Sequence, residues 1–356
     1  MIRVLRFAAA TLSCLAAIAA PALAAPPVQC GDTLYAPVTL TADVVCGSGT
    51  NGLIIGADKV RIDLNGFAIE GPYTYAAPTA PAAGVFSSGY WGVEVVGPGR
   101  IAGFLQPIDI AGGGNHRVSG VVVTGESGHG VRMRNASGSW IENSRLPEVI
   151  VFADRRSRAT ANRIVGNEVG PYPGLPGGGI VLHGCNTADN VVAGNSIVLD
   201  PATVVFYAHA VSLLLGAHGN QVLDNKIAMG DVYLEGSSNN LIANNYFWNH
   251  GGGYEGIDLE ASNGAVLCSG VAAVLPSSKN IVRDNEVHGG NFGVLIDSTN
   301  PPAVSSGNVV TRNRFVDQAY SGLIFGSGAA SNDARGNTYV NVPLIAYDFG
   351  VGNLWP

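Results

Sequence analysis

The sequence predicts an all-β solenoid of parallel strands, about ten coils long. Three observations carry that prediction. One pattern recurs along the chain: Asn, any residue, an aliphatic, two residues, then Asn. Short runs of alternating apolar and polar residues lie between its copies. The composition is rich in glycine, 49 of 356 residues, and poor in charge, 13%. Self-similarity of this kind marks a repeat architecture, and glycine with few charges suits tight corners around long ladders.

The pattern is clearest at Asn220, Val222, Asn225 and at Asn240, Ile242, Asn245, with alternating strands following at 231–235 and 256–260. Its second Asn falls at Asn143, Asn167, Asn195, Asn225, Asn245, Asn285, Asn313 and Asn337, at intervals of 24, 28, 30, 20, 40, 28 and 24. Its first Asn falls at Asn162, Asn190, Asn220, Asn240, Asn280, Asn308 and Asn332. A helical repeat holds its period because whole helices must stack, whereas a β-solenoid fixes its strands and lets its turns vary. An Asn at a fixed corner can adopt left-handed geometry and bond the Asn one coil above.

The chain opens with the features of a secretory leader, residues 1–24: Arg3 and Arg6, an apolar stretch from Phe7 to Ala20, and Ala22-Leu23-Ala24 before the expected mature start. Without those two arginines, 17 basic face 26 acidic residues, a net charge of −9. That argues against a nucleic-acid partner. No later apolar run is long enough to span a bilayer as a helix. Four cysteines remain, and an even number in an exported chain suggests disulfides. Cys30 and Cys46 are expected to close a loop under the first coil. Cys185 and Cys268 lie about three coils, or ~14 Å, apart, so only the loop starting at Asn263 could bring them together.

Residues 30–58 are expected to form an N-terminal cap, and the apolar tail 343–356, with Tyr347, Phe349 and Trp355, a C-terminal one. Loops at 71–83, 171–178, 247–254 and 263–278 leave the repeat, and loops on a repetitive scaffold are where function usually sits. The segments CGDT (30–33), LTADVVC (40–46) and GLIIGADKVRIDLNGFAI (52–69) resemble the opening coil of right-handed parallel β-helix proteins of the pectate-lyase-like superfamily. The Asn copies resemble the parallel β-helix repeats of NosD-like periplasmic proteins. The resemblance covers about residues 30–340. It implies a single right-handed parallel β-helix domain over 25–356, periplasmic or secreted, and action on or binding of polysaccharide. The same repeats occur in lyases, hydrolases, epimerases and binding proteins. The Asp-Pro-His motif of alginate epimerases is absent, since Asp200-Pro201 is followed by Ala202.

Alignment of the strands by alternation places sixteen apolar residues inward, from Val131 and Met133 through Val232, Leu234, Ile257 and Leu259 to Leu323 and Phe325. A slip of one residue would bury charges. One outward column then reads Arg132, Ile150, Val181, Ser212, Tyr233, Asp258, Leu295, Ile324. The other reads Arg134, Phe152, His183, Leu214, Glu235, Glu260, Asp297, Gly326. Glu235, Glu260 and Asp297 are carboxylates ~4.8 Å apart on successive strands, with Asp258 beside them. Like charges at that spacing need a proton or a cation between them. These four form a candidate Ca²⁺ site, since ligation by oxygen alone suits that ion.

Candidate catalytic residues are His183, His209, Tyr233, Glu235 and Glu260, and candidate glycan contacts are Arg134, Tyr207, Trp248, His250 and Tyr254. Elimination at a uronic acid would use Arg134 or Ca²⁺ to neutralise the carboxylate, His183 or His209 as base, and Tyr207, Tyr233 or Tyr254 as acid. Hydrolysis would use two carboxylates, Glu235 with Glu260 or with Asp297. The other reading is a solenoid without catalysis that binds glycan, cell surface or protein. His116, His129, His218 and His288 fall near turns and are expected to be exposed.

Overall fold

The computed structural model describes residues 27–74, 82–124, 129–170, 178–199, 209–249, 255–266, 272–298 and 304–356. The expected leader, Tyr207, His250 and Tyr254 lie outside these residues. The chain winds as a right-handed parallel β-helix. Each full coil crosses three long sheets in turn, of thirteen, eleven and twelve strands, and every strand in them pairs in parallel with the strand one coil on. Thirteen coils in the longest sheet exceed the ten expected, because the first coils lack the Asn pattern that marks the rest. Among the described residues no helix is long and apolar enough to cross a membrane.

The first sheet holds the strands Val131–Arg134, Glu148–Phe152, Gly179–His183, Val211–Leu214, Val232–Glu235, Glu255–Glu260, Phe292–Asp297, Ser321–Phe325 and Leu344–Asp348, above four earlier ones. The predicted register is the observed one: Tyr233 pairs with Asp258, Glu235 with Glu260, and Glu260 with Asp297. All sixteen inward residues are buried. Each such aliphatic contributes ~1.5–3 kcal/mol, so the core is distributed along the whole axis.

The asparagines build two continuous ladders. Asn220 Oδ1 accepts the backbone N–H and the Nδ2–H of Asn190, both at 3.0 Å, while its own Nδ2 donates to Asn240 Oδ1 and Thr187 O, both at 3.2 Å. The same geometry links Asn195, Asn225, Asn245 and Asn285. The corner geometry differs from the expectation. The residue before the ladder Asn takes the left-handed conformation: Asp189, Asn239 and Lys279 on one ladder, Asp224, Asn244 and Asp284 on the other. In these coils Asn serves through its amide, which is buried and both donates and accepts. Asn143 is likewise not a ladder residue. It is exposed with φ 49°, and Ser144 stands in the ladder, its N–H donating to Asn167 Oδ1 at 3.0 Å. Below Asn162 the other ladder continues through Ser139 to His116. His116 is buried rather than exposed, and its Nδ1 accepts the Val93 N–H at 3.3 Å. Burial lowers its pKa and so favours the neutral ring that this acceptance requires.

The ends are unlike. Cys30 and Cys46 are bonded as expected, across the first coil. That coil is already part of the helix, since Asp32–Leu34, Val38–Thr39 and Val44–Val45 start the three sheets. Cys185 is disulfide-bonded, and its expected partner Cys268 lies outside the described residues. The tail adds a strand, Leu344–Asp348, to the first sheet, while Leu344, Ile345, Phe349, Val351, Leu354 and Trp355 stay exposed.

Candidate functional site

Outward side chains of the first sheet gather charge at Val232–Glu235, Glu255–Glu260 and Phe292–Asp297. Val232, Leu234, Ile257 and Leu259 anchor these strands from behind. The column neighbours of the cluster, Leu214 and Ser212 below and Leu295 above, carry no charge. The carboxylates are therefore compensated from the sides.

Each carboxylate has its own arrangement. Tyr233 Oη–H donates to Glu260 Oε2 at 2.7 Å. Ser262 Oγ–H donates to Glu235 Oε1 at 2.6 Å. Ser262 belongs to an antiparallel hairpin, Ser262–Val266 with Ala272–Leu275, where the sequence suggested only a loop. Asp297 accepts the Ser298 N–H and reaches toward Gly326, where a Cβ would lie 2.0 Å from Asp297 Oδ1. Only glycine leaves that space. His209 stacks on the Tyr233 ring, with centroids 4.1 Å apart and planes at 14°. Its Nδ1 lies 2.8 and 3.0 Å from the two oxygens of buried Asp231.

Asp258 sits at the centre. Its Oδ1 is sealed from solvent and has no hydrogen-bond partner among the described residues. Burial pushes the carboxyl well above the usual carboxylate range, and Asp231, Glu255, Glu260 and Asp297 push it further. Burial also raises Glu255, with Asp231 adding to the effect. Burial lifts the Tyr233 phenol, and the bond to Glu260 lifts it further, so it remains a donor. Burial lowers His183, two coils below Glu235, although the Glu235 charge opposes the effect.

The structure thus brings together His209, Tyr233, Glu235, Asp258, Glu260 and Asp297, with His183 at the lower margin. Arg134 is on the same column but five coils below Glu260, ~24 Å away, too far to neutralise a sugar bound there. Trp248 lies on the third sheet, in register with Ala228 and His288, and not on this face. Among the described residues no group of three or more His, Cys, Asp or Glu is gathered as a metal site. Sequence reasoning missed Asp231, Glu255 and Ser262. Glu255 and Ser262 lie just outside the alternation that was read at 256–260, and Asp231, first residue of the run read at 231–235, precedes the observed strand.

A right handed beta helix region family matches residues 213–339, the coils that hold this cluster. No curated protein matches the chain in sequence. DFA-IIIase from Arthrobacter chlorophenolicus A6, solved in complex with GF2, is similar over 85% of this chain and 83% of that one, at 15% identity and TM-score 0.53. A mutant tailspike protein of E. coli bacteriophage HK620, solved with a pentasaccharide, is similar over 87% of this chain and 65% of that one, at 12% identity and TM-score 0.51. At these identities the likeness is one of fold.

Proposed function

Taking the chain as a right-handed parallel β-helix with an acidic cluster on one sheet, we propose that it hydrolyses a neutral glycan bound along that face. The observation that carries the reading is Asp258: one of its carboxyl oxygens is sealed without a partner among the described residues, in a setting of burial and neighbouring carboxylates that raises its pKa and so favours the protonated form. A neutral carboxyl has a proton to give, which is what departure of a glycosidic oxygen needs. In this mechanism Asp258 protonates the leaving oxygen as its bond to the anomeric carbon breaks. Glu260, oriented by Tyr233, takes a proton from water as the water oxygen bonds to the anomeric carbon. His209, itself bonded to Asp231, stacks on the Tyr233 ring. The complexes of DFA-IIIase with GF2 and of the tailspike protein with a pentasaccharide support a saccharide ligand for such a face.

Lyase and epimerase chemistry at uronic acids is disfavoured by the same geometry. The floor is negative, Arg134 is remote, and a polyanion would be repelled. Ca²⁺ on Glu235, Asp258, Glu260 and Asp297 has no part in this mechanism. The leader features and the Cys30–Cys46 bond support export to an oxidising compartment. The alternative, a binding scaffold, is favoured by the hydrogen bonds that already engage Glu235 and Glu260. Incubation with neutral and uronate polysaccharides, with and without chelator, separates the readings. Reducing ends released from a neutral glycan, and lost in Asp258→Asn, support hydrolysis. Binding without turnover overturns it in favour of the scaffold.

A further inference from the structure

The acidic cluster gives way, toward the C-terminal end of the same sheet, to an open cleft of about 270 Å³ lined by Phe292, Tyr320, Ile324, Tyr347 and Phe349. The two are continuous in register. Phe292 pairs with Glu255, one coil below it, and with Ser321, one coil above. From Asp258 the outward column runs through Leu295 and Ile324 to Tyr347. Over three coils, ~14 Å, the floor changes from carboxylate to aliphatic to aromatic.

The rings are placed as surfaces rather than as core. Phe349 is 69% exposed, Tyr320 54% and Tyr347 37%. The Tyr347 and Phe349 planes differ by only 4°, with centroids 6.3 Å apart, and Phe292 and Tyr320 lie against each other at 5.7 Å. Among the described residues no charged side chain lines the cleft. Exposed aromatic rings gathered in one cleft offer apolar faces with a phenol at the margin, and such amphipathic rings favour ligands that are apolar on one side and wet on the other. The C–H face of a pyranose or furanose ring is such a ligand. An anionic sugar would gain nothing from uncharged walls and would meet the carboxylates of Asp297 and Glu260 next.

We propose that this cleft is a stacking subsite for a neutral glycan whose chain runs along the solenoid axis, from Asp258 toward the last coil. The inference rests on the reading of the acidic cluster as a glycan site and adds the direction and length of the bound chain. Affinity is therefore expected to grow with chain length until the ligand reaches Phe349.

The test is calorimetric titration of size-graded glucan, xylan, mannan, fructan and chitin oligosaccharides into the Asp258→Asn protein, alone and combined with Phe349→Ala or Tyr320→Ala. The expected result is that the longest bound oligosaccharide binds roughly tenfold more weakly to either double variant, while the shortest is little affected. Both side chains are exposed, so unchanged melting temperatures are expected and would exclude misfolding. Affinity independent of length, or length dependence untouched by both variants, overturns the subsite while leaving hydrolysis at Asp258 standing. Self-association abolished by Phe349→Ala assigns the cleft to a second copy and overturns the proposal. Failure to bind or cleave any neutral glycan overturns the subsite and the hydrolase reading together.

Discussion

Two stacks of polar side chains climb this solenoid at the same ~4.8 Å repeat, and they behave oppositely. On the corners, Asn195, Asn225, Asn245 and Asn285 are fully buried and satisfy one another. On the first sheet, Glu235, Glu260 and Asp297 stand at the same spacing and recruit Ser262, Tyr233 and the Ser298 N–H from the sides. An amide donates and accepts, so a column of amides closes on itself. A carboxylate only accepts, so a column of them is left with unspent charge. One geometry therefore serves as scaffold with one side chain and as reactive surface with the other.

The comparison breaks most sharply at Asp258. If the cluster is catalytic, Asp258→Asn lowers hydrolysis by about 10²–10⁴-fold, the usual worth of a positioned acid, with the fold intact by circular dichroism. A variant retaining full activity would remove Asp258 as the acid. In the amide stack the effect falls on stability instead. Asn225→Ala leaves the Asn195 N–H and the Val192 carbonyl without their partners. At ~1–3 kcal/mol for each orphaned group, it is expected to cost at least about 2 kcal/mol in urea denaturation. Asn225→Asp is expected to cost more, because a carboxylate would face Asn245 Oδ1 and the Val192 carbonyl. Equal stability for Asn225→Asp and wild type would contradict the ladder argument.

The reciprocal change is smaller. Glu260→Gln places an amide where a carboxylate stood, and relieved repulsion should leave the melting temperature unchanged or slightly higher while hydrolysis falls. A marked loss of stability would mean that the Tyr233 bond is structural. The smallest signal is in pH. Asp258 is raised in the folded state, so that state holds a proton which the unfolded chain releases above ~3.9. Stability should therefore decline as pH rises from there to the folded pKa and be level beyond it. Asp258→Asn should flatten that decline, and identical pH profiles for variant and wild type would show that Asp258 is ordinarily ionised.

The strands were legible because their period is two. All sixteen inward residues, and the pairing of Tyr233 with Asp258 and Glu235 with Glu260, follow from alternation. What alternation does not reach was misread or missed. Asp231 was read as the first residue of its strand but precedes it, Ser262 arrives on a hairpin, and Trp248 belongs to a third-sheet strand that was read as the start of a loop. The ladder was read from its asparagines alone, yet Ser139, Ser144 and His116 serve in its lower coils, since a small or planar side chain with an acceptor can receive the N–H below. The left-handed corner went to the preceding residue because one side chain rarely fills both the conformational and the bonding role.

The unequal ends set a direction for opening. In a solenoid each coil is held mainly by its neighbours, so an end coil has half the support of an inner one. The first coil is closed covalently by Cys30–Cys46. The last described coil, Leu344–Asp348, pairs on one side among the described residues and leaves most of its side chains in water. Amide exchange is then expected to run as a gradient, fastest at Leu344–Asp348 and slower with each coil toward Cys30. The molecule would unzip from one end, and the acidic cluster, lying nearer that end, would lose its geometry before most of the scaffold does.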